Sequence, residues 1–207
     1  MTYSQKWNLE SIFPGGITSP QLTQKYELIA KQINDFTDMI ADYSLAQDKD
    51  FTVLADLADL AQNIGAGIGT ANIFVNGWSS VDYGNSVYAP HFNKLGNLWV
   101  SFSSPLNAFQ KLLSKLDDET FEKAITTSRL APIAFYLTEL RTDAKRLLDD
   151  KTETLINKFD LDGQQAWSQH YDTISASLSM SYTDENNKTR QISAGQALNM
   201  LDGEPDN

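Results

Sequence analysis

Cysteine is missing from this 207-residue sequence, and histidine occurs only twice. Without cysteine there are no disulfides, thiolate nucleophiles or Cys-bearing zinc sites, which suits a reducing cytoplasm. His91 stands in Tyr88-Ala89-Pro90-His91-Phe92, and His170 in Trp167-Ser168-Gln169-His170-Tyr171. Neither forms a His-Glu-x-x-His pair, which would set two imidazoles on one helix face around a carboxylate base. His170 and Asp172 are two residues apart and point to different sides of a helix. Packing or surface exposure is the expected role of each histidine. The chain by itself is therefore expected to lack metal- or histidine-dependent catalysis.

Cations are scarce as well. Sixteen Lys and Arg against twenty-seven Asp and Glu leave a net charge of −11. Phosphate recognition needs cationic groups that displace counterions, so nucleic acid and anionic membrane are not expected partners. No run approaches the ~20 apolar residues of a membrane span; the longest candidate, Gly65 to Val75, contains Thr70 and Asn72. Met1 to Trp7 lacks the apolar core of a signal peptide. A soluble cytoplasmic protein is expected.

What the chain does have is helical periodicity. Ser19-Pro20 reads as a helix start, with Ser capping and Pro at the first position, where no amide is needed. Tyr26, Ile29, Ile33, Phe36 and Ile40 follow at spacings of three and four. Asp48-Lys49-Asp50 marks a boundary. Phe51, Leu54, Leu57, Leu60, Ala61, Ile64, Ile68, Ala71 and Phe74 make a second stripe, which Gly77 is expected to break. Leu95, Trp99, Phe102, Leu106, Phe109 and Leu113 make a third, with Pro90 and Pro105 expected to kink or divide it. Asp117 or Asp118 should cap a short helix through Ile125. A further helix is expected from Ala131-Pro132 to Leu148, carrying Phe135, Leu140, Ala144 and Leu147.

Asp150-Lys151-Thr152-Glu153 has capping-box spacing, and the helix it opens should end near Asp162-Gly163, where another begins. Ser177 to Thr183 alternates with period two, and Thr189 to Ile192 can answer it across Asp184-Glu185-Asn186-Asn187-Lys188, which is turn chemistry. Ser193-Ala194-Gly195-Gln196 opens a last short helix, and Gly203 to Asn207 frays out. The expected fold is all-α, an antiparallel helical bundle with one small β-hairpin (177–192) near the carboxyl terminus. Residues 1–116 form a long-helix lobe, and residues 117–207 a second helical group with the hairpin.

Other motifs have structural readings. Gly65-Ala66-Gly67-Ile68-Gly69 fails the dinucleotide pattern, because Thr70 stands where the third glycine belongs. Each helical glycine costs up to ~1 kcal/mol relative to alanine, which close helix packing or a local break would explain. Asp160-Leu161-Asp162-Gly163 resembles the start of a calcium loop, but the twelfth position is Tyr171 rather than a bidentate Glu, so a helix-to-helix turn is expected. No Gly-x-Ser-x-Gly elbow supports a role for Ser101, Ser103 or Ser104 as a nucleophile. The pairs Glu119 with Glu122 and Asp149 with Asp150 sit where caps and solvated faces belong. Arg141, Lys145 and Arg146 are expected to cover the core edge and pair with Glu139 or Asp143; contact with another domain is the sharper alternative.

Several stretches in a fixed order carry a family resemblance. They are Trp7-Asn8-Leu9-Glu10-Ser11-Ile12-Phe13-Pro14-Gly15, then Arg141-Thr142-Asp143-Ala144-Lys145-Arg146-Leu147-Leu148 running into Glu153-Thr154-Leu155-Ile156-Asn157. Next come Asp160-Leu161-Asp162-Gly163-Gln164-Gln165-Ala166-Trp167-Ser168, the hairpin, and Ser193-Ala194-Gly195-Gln196-Ala197. Together they resemble the amino-terminal region of oligoendopeptidase F-type zinc metallopeptidases, the M3 family of the thimet oligopeptidase superfamily. Gly65 to Trp78 and the Pro90-His91 segment match only in helical texture.

The resemblance implies hydrolysis of short peptides in a channel between helical lobes. It implies zinc held by His-Glu-x-x-His and a downstream Glu. None of those ligands is in this sequence, so no catalytic, cofactor-binding or metal residue carries over to it. The chain would be the family's first third, with the catalytic region absent, and its ending at Pro205-Asp206-Asn207 after a short helix fits that expectation. Its implied role is one wall of the channel; the alternative is a free-standing, non-enzymatic helical binding or scaffolding protein.

Overall fold

The computed structural model describes residues 7–82 and 85–202, and the expectations for Met1 to Lys6 and Gly203 to Asn207 lie outside them. Among the described residues there are eight α-helices and one hairpin. Helix α1 is Pro20–Asp42, α2 Thr52–Ser79 and α3 Ala89–Lys115. The three pack pairwise, and their short links make consecutive helices antiparallel neighbours. Buried Leu22, Tyr26, Ile29, Ile33 and Phe36 of α1 face the stripe of α2, with Ile64, Ala71 and Phe74 fully enclosed. Phe36 meets Phe102 and Phe109 of α3 at ring distances of 5.9 and 5.8 Å. Phe13 meets Phe74 edge-on at 5.0 Å, a contact worth about 1 kcal/mol beyond burial.

Helix boundaries follow local chemistry. Pro20 occupies the first turn of α1 as expected, but the buried Ser19 hydroxyl makes no capping bond. Helix α2 is capped from a distance. Phe51 at its start is left-handed (φ 59°), and the buried carboxylate of Asp48 accepts from the Val53 and Leu54 amides, both at 2.9 Å.

Gly77 does not break α2, which runs on to Ser79. It is a close-approach site, because a Cβ there would lie 2.9 Å from Leu9 Cδ1. Pro105 likewise does not divide α3. Interior proline costs ~3 kcal/mol, and the buried stripe from Leu95 to Leu113 on either side offsets it.

Helix α4, Asp118–Ile125, is capped by Asp117, which accepts from the Thr120 amide at 2.8 Å. The expected helix from Ala131 to Leu148 is shorter. Helix α5 is Ala134–Asp143, between 3-10 turns at Ala131–Ile133 and Ala144–Arg146. Its inward residues are Leu137 and Leu140, while Phe135 is 80% exposed. One apolar core runs from Phe13 through Leu140.

Helix α6, Asp150–Asp160, is capped one residue earlier than the spacing predicts. Asp149 accepts from Lys151 and Thr152, and Glu153 reaches back to the Leu148 amide at 2.8 Å. The Asp150 side chain lies outside the described residues.

The expected turn at Asp160 to Gly163 is absent. Leu161–Gln165 is a π-helical turn, and the helix continues as α7, Ala166–Ser177. Gly163 keeps a helical backbone, and Gln165 donates to the Asp160 carboxylate across the bulge at 2.9 Å. Strands β1 (Ser179–Thr183) and β2 (Thr189–Ser193) pair antiparallel, Ser179 opposite Ser193. Left-handed Asn187 closes their turn. Helix α8, Ala194–Asp202, opens on a reciprocal capping box, Ser193 Oγ accepting the Gln196 amide and Gln196 Oε1 the Ser193 amide.

Candidate functional site: a groove beside an exposed arm

The chemistry-bearing residues of the sequence are dispersed. His91, near the start of α3, shares a 3.1 Å hydrogen bond with Tyr26 of α1. Burial pushes Tyr26 up to about 12 and lowers His91, so at neutral pH both are uncharged. His170 is exposed on α7 with its ring against Trp167. Ser103 accepts from Asn157 of α6 at 2.9 Å and thus pins that helix to α3. Glu119 pairs with Lys123, and hydrogen bonds from Thr152 hold the Asp149 carboxyl below its ordinary range.

Arg141 bonds neither Glu139 nor Asp143. Its guanidinium donates to the Leu116 carbonyl at 2.6 Å, pairs with Asp118 at 2.9 Å and lies 4.5 Å over the Phe121 ring. It therefore closes the carboxyl end of α3 onto α4. Arg146 takes Asp143 at 3.4 Å.

The glycine cluster divides in two. A Cβ on Gly67 would stand 3.1 Å from Ile29 Cγ1 and 3.2 Å from Lys25 Cε, so close packing of α1 explains it. Gly65 and Gly69 have nothing within 4 Å, and packing does not explain them. They lie on the floor of a groove of about 760 Å³, between α2, the start of α3, and the π turn with α7. On α2 the lining is Gly65, Ile68, Gly69, Asn72, Asn76 and Ser79, a single helix face. Tyr88, Phe92 and Trp99 supply aromatic surface, and Gln164, Gln165 and Gln169 line the opposite side. Among the described residues, Asp172 is its one charged lining residue.

Sequence reading passed over these carboxamides. The available signal was the continuation of Gly65 and Gly69 into Asn72 and Asn76, a small and polar stripe at helical spacing beside the apolar one, with Ile68 on the border.

Beyond the groove, α7 is solvated on nearly every side, with only Ser175 half-buried. Phe159, Trp167 and Tyr171 are 66%, 72% and 71% exposed, and Leu155, Ile156 and Ile174 are exposed with them. In this arm, α6 through α7, α6 packs against α3 with no fully buried side chain among its described residues, and these apolar side chains stay uncovered.

Compared with known families, the region containing this arm is the one that matches. Residues 113–179 match the family model of the M3 peptidase amino-terminal region, described as Oligopeptidase F. The match covers about a third of the chain, from the last turn of α3 to the first residue of β1. It includes Arg141 to Ser168, and so upholds the resemblance read from that stretch; Trp7 to Gly15 and Ser193 to Ala197 lie outside it. Searches of curated proteins and of solved structures find no match.

The zinc of such peptidases does not fit the described residues of this oligopeptidase F-like segment and its neighbours. Among them, no three or more His, Asp or Glu side chains come together as a metal site. Their two histidines are separately engaged, one with Tyr26 and the other with Trp167. Among the described residues, no helix is long and apolar enough to cross a membrane.

Proposed function

We propose that the chain is the amino-terminal lobe of an oligoendopeptidase F-like zinc peptidase that cleaves short peptides in the cytoplasm. The lobe forms one wall of the substrate channel, and the zinc-binding motif lies in sequence outside this chain. The observation that carries the proposal is the coincidence of the matched segment with the uncovered arm. Apolar area costs roughly 25 cal/mol per Å² when left in water. Trp167, Tyr171 and Ile174 share one face of α7 by their spacing of four and three; exposed apolar faces mark interaction surfaces, and in this reading the catalytic region covers this one. The net charge of −11 and the absence of cysteine suit a cytoplasmic protein.

The test is to read the coding frame beyond Asn207 and assay its full product against a quenched fluorescent peptide. The frame should encode His-Glu-x-x-His with a downstream Glu, and cleavage should cease with a chelator. Residues 1–207 alone should cleave nothing and bind no stoichiometric zinc. A stop codon directly after Asn207 would favour the free-standing scaffold and overturn the proposal.

A further inference from the structure

We infer that the groove between α2 and α7 is a docking site for an extended peptide segment, one that acts by binding and takes no part in bond cleavage. Its α2 face runs from Gly65 to Ser79, about 21 Å at 1.5 Å per residue step. That matches about six extended residues at ~3.3 Å each. A compact metabolite would leave most of that length empty.

The lining chemistry fits a polypeptide main chain. A peptide unit offers one N–H and one carbonyl, and a side-chain carboxamide offers the complement of both. Gln164 and Gln169 reach no side-chain hydrogen-bond partner among the described residues, and Asn76 turns its amide group onto Asn72, which leaves its own oxygen as an acceptor. With Asp172 as the one lining charge, the groove disfavours phosphates and acidic segments and admits neutral or basic ones.

Two backbone features point the same way. Gly65 and Gly69 bare the α2 backbone, and among the described residues nothing comes within 4 Å of a Cβ added there. Such bareness lets a ligand main chain come close. The π turn at Leu161–Gln165 sets Gln164 and Gln165 on the facing wall; π turns within α-helices recur at functional sites.

The inference takes its biological sense from the peptidase reading, but its measurement needs no catalysis. The experiment titrates the 207-residue chain with a fluorescent hexapeptide, acetylated and amidated at its ends, alanine-rich with one lysine. Saturable binding is expected, with at least tenfold weaker affinity when glutamate replaces the lysine. Gly69→Leu, which fills the floor, and Gln164→Ala should each weaken binding at least tenfold. Circular dichroism and the thermal midpoint should show both variants folded.

Failure of the wild-type chain to bind, or equal binding by a folded Gly69→Leu, overturns the docking site. Binding of an oligosaccharide at these residues in place of the peptide also overturns it. If binding fails while the full reading frame encodes the zinc motif, the peptidase reading stands and the docking site alone falls.

Discussion

Replacing Asp48 by alanine should be among the most damaging single changes on the polar side of this fold. Asp48 is 4% exposed and serves two amides at the start of a 28-residue helix. Left-handed Phe51, at the capping position itself, offers them nothing. Loss of a helix cap costs about 1 kcal/mol. The Leu54 amide, buried at this bond, would be left unpaired, which adds about 1–3 kcal/mol. The sum is about 2–4 kcal/mol. For a chain of this size each kcal/mol lowers the midpoint by about 2–4 °C, so the midpoint should fall by about 4–16 °C.

Asp48→Asn keeps one acceptor oxygen and should lose about half as much. Urea and thermal unfolding, followed at 222 nm, measure both. A loss under about 0.5 kcal/mol in the alanine variant, with an unchanged spectrum, would refute the capping argument.

Three further expectations are open to direct measurement. Gly69→Ala should stabilise the chain by up to ~1 kcal/mol, because the added methyl meets nothing. Gly67→Ala should gain less or lose, since its methyl would press on Ile29 and Lys25; paired urea melts compare them. His91 is held below its ordinary 6.5 by burial, so the unfolded chain takes up the proton first. Its contribution is whole above pH 6.5 and is lost as the pH falls through 6.5 toward the folded value, and His91→Gln should flatten that part of the stability–pH curve. Limited proteolysis of the 207-residue chain should cut between Ala166 and Ser177, solvated almost all round, before it cuts α1 or α2. Mass spectrometry of the first fragments locates the cut.

The legible parts of the fold were those where one force dominates. The stripes from Tyr26 to Phe36 and from Leu54 to Phe74 are buried as their spacing predicts, because area removed from water outweighs other local preferences. Asp117 and the Ser193–Gln196 box were legible because a cap involves only neighbouring residues.

The misread places are balances between opposing terms. Gly77 and Pro105 are breakers by propensity, but Leu9 fits against the one and the buried stripe of α3 outweighs the other. Asp160 to Gly163 carries turn residues, and a π turn absorbs them without breaking the helix. Phe135 stands two residues before inward-facing Leu137 and five before Leu140, spacings that put it on the other side of the helix, and it points to water. The groove was illegible because its walls lie about a hundred residues apart in the chain.

Continuity through the π turn makes α6 and α7 a single lever of about 42 Å at 1.5 Å per residue. It is anchored near its root where Asn157 holds Ser103. A rigid rod of that length turned by about 5° at the root carries its tip through ~4 Å. The hairpin at the far end would travel about a strand spacing, while the groove wall near the pivot would shift by a fraction of that. Two helices joined by a flexible turn would dissipate such a displacement; the continuous α6–α7 helix has no such joint at Leu161–Gln165.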